Sequence, residues 1–207
     1  MAEMMQSLVR RVKKTEHGFT DILQAAEEIL ASHNSAETFE LAHQLYVSNV
    51  PQARMLATFL LGKLAAHSKE SLAFLHLRVS LDEDWRVQEI LAKAFDQYCQ
   101  DTGYEKAIPV MRDWLSDTNP NTRRAVTEGL RVWTARPYFQ DHPQAAIQLL
   151  SPMRSDPSEY VRKSVGNALR DISRKHERLI ASELASWNLS EKRVQQVYKL
   201  ASRFLKK

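Results

Sequence analysis

The carboxylates of Glu89 and Asp171, set among cations, and the indoles of Trp85 and Trp133 near them are the side chains of this 207-residue sequence whose type and spacing could do chemistry. A carboxylate can stabilise an oxocarbenium-like sugar or activate water, and an aromatic face can pack on an exposed sugar or base. Each has an equally simple alternative. Glu89 stands three residues after Arg86 and four before Lys93, the spacing of an intrahelical ion pair. Asp171 has Arg170 and Arg174 beside it, and tryptophan more often fills a core.

Cations recur around these acids. Arg86 and Lys93 share a helix face with Glu89, Arg123, Arg124 and Arg131 surround Glu128, and Arg162, Lys163, Arg170, Arg174 and Lys175 accompany Asp171. From Asn121 to Arg178 eleven Lys and Arg face six acids, so that segment carries more than the whole chain's net charge of +4. Stacked stripes of this kind form a groove that contacts phosphates without reading sequence. The same pattern is also what an ordinary solvated helix face shows. Trp85 and Trp133 are expected near opposite ends of successive helices beside the basic stripe, available either for stacking or for the core.

Other chemistries lack their residues. The sequence has no phosphate-binding glycine loop, no HExxH and no GxSxG elbow. Seven scattered His with no i, i+4 pair and a lone Cys99 give no metal site and no intramolecular disulfide, so neither metal nor cofactor is expected. No apolar run is long enough for a membrane span or a secretory signal, which leads us to expect a cytoplasmic protein.

The elements that position these residues come from an internal repeat. Asp82, Asp117 and Asp156 fall 35 and 39 residues apart, each beside a turn and each followed by apolar residues at helical spacing ending in Phe95, Leu130 and Leu169. The Asp, with Pro120 or Pro157 close behind, supplies an acceptor and a preset φ for a helix start. Ser48 to Leu61 fits the same template upstream, and Leu189 to Leu205 is a weaker terminal copy. Partner helices are expected near 37–48, 68–79, 104–115, 143–153 and 179–186, with a further helix near 5–14. Few Gly and Pro, and no linker-like stretch, argue for one domain over 1–207. The expected fold is all-α, a right-handed curved solenoid of HEAT-like helix pairs with units near 37–66, 68–99, 104–134, 143–175 and 179–205.

The stretch Val126 to Phe139, followed by Asp156-Pro-Ser-Glu-Tyr-Val-Arg-Lys-Ser-Val-Gly-Asn-Ala-Leu-Arg-Asp-Ile-Ser173, resembles the HEAT-like repeat DNA alkylation-repair family, which includes the AlkC and AlkD DNA glycosylases. That resemblance implies hydrolysis of the N-glycosidic bond of cationic alkylpurines without a cofactor, on duplex DNA held by its backbone. It assigns Glu89, Trp133 and Asp171 as acid, aromatic and second acid. Trp133 follows Glu128 by five residues, about a turn earlier than the family spacing, and the paired-tryptophan signature of AlkD is absent. A monomer is expected. The alternatives are a non-catalytic relative that binds damaged, bent or branched DNA, and a scaffold for an acidic protein.

Overall fold

A computed structural model describes residues 2–15 and 17–205, so the extreme ends of the expected 1–207 domain lie outside the described residues. All regular elements among the described residues are helices. They fall into two compact units, Met1–Asp101 and Thr102–Lys207.

The first unit holds α1 (Ala2–Val12), α2 (Thr20–Ser32), α3 (Ser35–Tyr46), α4 (Pro51–Leu64), α5 (Lys69–Leu77) and α6 (Trp85–Thr102). Local chemistry sets the helix starts. Asn34 caps α3 with a reciprocal box: its Oδ1 accepts the Ala36 and Glu37 amides at 3.0 Å, while Glu37 Oε2 accepts the Asn34 amide at 2.9 Å. Pro51 opens α4 with its φ already set, and the Ser68 hydroxyl caps α5 by accepting the Ser71 amide. Helix α4 is apolar on nearly every side and forms the centre of this core, with α2, α3 and α5 packed on it. Helix α2 lies outside the repeat template, yet Ile22, Ala25, Ala26 and Ile29 bury one face at helical spacing.

The second unit holds α7 (Tyr104–Leu115), α8 (Pro120–Gly129), α9 (Pro137–Asp141), α10 (Pro143–Leu150), α11 (Glu159–Ser173), α12 (Glu177–Ala185) and α13 (Lys192–Ala201). Helices α8, α11 and α13 stack side by side, with α7, α10 and α12 behind them. These are HEAT-like pairs, and α11 is their central member. The expected helix through Trp133 is corrected: α8 stops at Gly129, and Trp133 lies in a 3-10 turn, Trp133–Ala135, ahead of short α9. Glycine and the β-branched residue Val132 are poor helix formers, and leaving the helix lets the indole enter the core.

The repeated Asp residues have two functions. Asp82, Asp117 and Asp156 each accept the amide two residues on, from Asp84, Asn119 and Ser158, at 2.9, 2.6 and 2.7 Å. Asp82 and Asp156 also accept a forked guanidinium from the preceding repeat. Arg54 reaches Asp82 at 2.6 and 3.2 Å, and Arg123 reaches Asp156 at 2.7 and 2.9 Å. The arginines' remaining donors go to the turn before their own helix: Arg54 to the Ser48 carbonyl, Arg123 to the Asp117 and Thr118 carbonyls. Arg162 follows the rule with Gln196 as its cross-repeat partner at 2.9 Å. Burial pushes the Tyr46 phenol pKa up, and the Asp82 carboxylate 3.2 Å away adds to the effect.

Candidate nucleic-acid interface

In the first unit the candidate residues lie along α6. Trp85 opens the helix with 71% of its surface exposed, outside the core. Arg86 is held by Asp84 through Nη2 to Oδ2 at 2.7 Å and Nε to Oδ1 at 2.9 Å, so its fork is already engaged. Asp84 lies below the usual carboxylate range, chiefly because it accepts that hydrogen bond. Lys93 is exposed, its ammonium 4.6 Å from the Phe19 ring centroid, and Glu89 is half-buried on the same helix.

In the second unit, residues of α8, α11 and the Leu130–Val132 segment form one polar network. The Ser164 hydroxyl donates to Glu128 Oε2 at 2.8 Å, and Arg131 Nη1 donates to Glu128 Oε1 at 2.8 Å. Arg131 Nε continues to Asp171 Oδ2 at 3.2 Å. Arg170 closes the network on Asp171 Oδ1, through Nη2 at 3.1 Å and Nε at 3.3 Å. Both Asp171 oxygens are therefore engaged by guanidinium groups, and its side chain is 10% exposed. Burial opposes the charge on Arg131, but Glu128 and then Asp171 outweigh that effect and raise its pKa above the ordinary value.

Three of the expected site residues are placed where they cannot meet DNA directly. Arg123 and Arg162 are buried and committed to the inter-repeat ladder, because a guanidinium fork satisfies several acceptors at once in a tight space. Trp133 is fully buried, edge-on to Phe139 at 4.9 Å, with its indole N–H aimed at the Thr127 carbonyl at 3.4 Å. The remaining cations stay at the surface. Lys163 is paired with Glu159 at 2.7 Å, Arg124 and Arg131 are half-buried, and Arg174 and Lys175 are exposed. Among the described residues there is no cluster of three metal-ligating side chains, and no helix is long and apolar enough to cross a membrane.

The reading of charge along single helices missed the ladder and Phe204. The ladder had a signal: Arg123 and Arg162 each stand six residues after a repeat Asp, and Arg54 stands six after Ser48. Phe204 packs against Arg170 and Arg174 and had none, because it lies some thirty residues from them in the chain.

The sequence profile of the DNA alkylation repair enzyme family matches residues 17–198. The chain belongs to this family. The chain is similar to AlkD2 from Streptococcus mutans at 48% identity and a TM-score of 0.96, the match covering 99% of this chain and 98% of that one. The alkylpurine DNA glycosylase AlkC from Pseudomonas fluorescens, solved on DNA containing an abasic-site analog, matches over 98% of this chain and 62% of its own. At 24% identity and a TM-score of 0.53, that likeness shows the shared helical-repeat fold. An uncharacterized Bacillus subtilis (strain 168) protein, YhaZ, is 33% identical over 107 residues, which is 50% of this chain and 30% of that protein. The chain thus spans under a third of that relative.

Proposed function

We propose that this member of the DNA alkylation repair family holds duplex DNA by its phosphates and hydrolyses the N-glycosidic bond of cationic alkylpurines. The observation that carries the reading is Asp171, a carboxylate on the central helix α11 held between Arg131 and Arg170 with its side chain 10% exposed. A base that already carries positive charge is a good leaving group, so the protein's task is electrostatic. A fixed carboxylate stabilises the positive charge that develops on the deoxyribose, while water supplies the incoming hydroxyl. Arg124, Arg131, Arg170, Arg174, Lys175, Arg86, Lys93 and Lys163 supply the cations for phosphates, and Glu89 is the second candidate carboxylate. In this proposal the protein acts as a monomer, with residues 1–207 as one functional domain.

Two observations favour a second reading, binding without excision. Trp133, the expected aromatic of the site, has no exposed surface, and Asp171 already has a guanidinium on each oxygen. Neutralising partners weaken the field a carboxylate can offer a sugar cation.

The test is base release from randomly methylated duplex DNA by the wild-type protein, with Asp171→Asn and Glu89→Gln beside it, and duplex binding measured over a salt series. Release that disappears in Asp171→Asn supports the hydrolase. Salt-sensitive binding with no release supports the binding reading. Neither release nor binding overturns both.

A further inference from the structure

We propose that Phe204 is a positioning residue for DNA binding, holding Arg170 and Arg174 against its ring so that Arg174 meets a backbone phosphate. The proposal rests on the duplex-binding reading above. Phe204 ends the 3-10 turn Ser202–Phe204, which follows α13 and packs against α11 and α12. Its ring centroid is 4.6 Å from Arg174 Cζ and 5.8 Å from Arg170 Cζ, and the side chain remains 43% exposed.

The charge around that ring indicates its purpose. Arg170 spends donors on Asp171, whereas among the described residues no carboxylate lies within ion-pair range of Arg174. Lys175 and Arg203, the chain neighbours of Arg174 and Phe204, are both exposed. The guanidiniums of Arg170 and Arg174, gathered on one exposed ring, repel one another, and an anion between them relieves that repulsion. A guanidinium stacked on a ring keeps its N–H donors in its own plane, free for a phosphate, and has already given up rotamer freedom that binding would otherwise remove. An apolar side chain of similar size would cover the end of α11 without orienting the cations.

The experiment measures binding of the full chain to a fluorescently labelled duplex by anisotropy, from about 50 to 200 mM salt. The variants are Phe204→Leu, Phe204→Trp, Arg174→Gln and the Phe204→Leu, Arg174→Gln double substitution. We expect Phe204→Leu to bind about two- to fivefold more weakly and Phe204→Trp to retain affinity. Arg174→Gln should lower the salt slope by about 0.9, and adding Phe204→Leu to it should cost little more. A purely structural role would instead move the melting temperature and be indifferent to the Arg174 background. Equal affinity of Phe204→Leu and wild type overturns the proposal, as does a loss undiminished in the Arg174→Gln background. If the wild type shows no salt-dependent binding to the duplex, the duplex reading fails and this proposal falls with it.

Discussion

Arg123 and Asp156, 33 residues apart, form a two-pronged ion pair whose side chains are 8% and 2% exposed. Removing one partner strands a charge in the interior, which typically costs about 3–5 kcal/mol. Arg123→Met and Asp156→Leu should each lower the free energy of unfolding by that order in denaturant titrations. The double replacement should cost less than the sum, because it leaves no stranded charge. At temperatures where Arg123→Met is folded, its salt slope for DNA should equal that of the wild type. A reduced slope would mean that Arg123 reaches phosphate after all.

The same contrast between core and surface separates two tryptophans. Trp133 is fully buried against Phe139 and Trp85 is 71% exposed. Trp133→Ala should destabilise by about 3–5 kcal/mol, while Trp85→Ala stays within about 0.5 kcal/mol. Iodide quenching of tryptophan emission should nearly vanish in Trp85→Phe, since Trp114, Trp133 and Trp187 are all buried. Persistent quenching in that variant would contradict the burial of the other three.

Acid should act through Asp84. The Arg86 hydrogen bond holds its carboxyl below the ordinary carboxylate value, so the folded state binds this proton less readily than the unfolded chain does. Its contribution is complete above the unfolded value and is lost as pH falls through the lower folded one. Unfolding midpoints of wild type and Asp84→Asn, compared at neutral pH and again in acid, should therefore converge as the pH falls through the depressed folded value. A gap of constant size at both pH values would show that the pair contributes nothing to acid sensitivity.

Two helix crossings depend on a missing side chain. A Cβ on Gly62 would lie 2.7 Å from Ala94 Cβ and 2.8 Å from Ala94 Cα, so only backbone movement relieves it. On Gly166 it would meet Leu200 Cβ at 2.7 Å and Cδ1 at 2.9 Å, and the leucine can turn away in part. Gly62→Ala should cost about 1–3 kcal/mol in denaturant unfolding, and Gly166→Ala less. The reverse order would mean that α11 and α13 are packed more rigidly than α4 and α6.

Much of the helix layout was legible because periodicity and caps are local. The expected partner helices near 104–115 and 179–186 are α7 and α12 to within two residues at each end, and those near 37–48, 68–79 and 143–153 are α3, α5 and α10. Where local rules compete, spacing alone overshoots the element: it continues α8 through Gly129 to Trp133, although the chain leaves the helix there to bury the indole. Helix α2 was passed over because it breaks the repeat, not because its Ile22-Ala25-Ala26-Ile29 face was hidden.

The sequence by itself determined the helical pairs, the turn-forming Asp of three repeats and membership of the DNA alkylation repair family, because each is written in local residue patterns. Only the tertiary structure decided what the charged and aromatic residues do. Arg123 and Arg162 are spent between repeats, Arg131 reaches Asp171 across 40 residues of chain, and Phe204 meets Arg174. A cation on a helix face looks the same in sequence whether it faces water or a partner dozens of residues away. Its role is fixed only when packing brings that partner into hydrogen-bonding range and removes the water that would otherwise screen the pair.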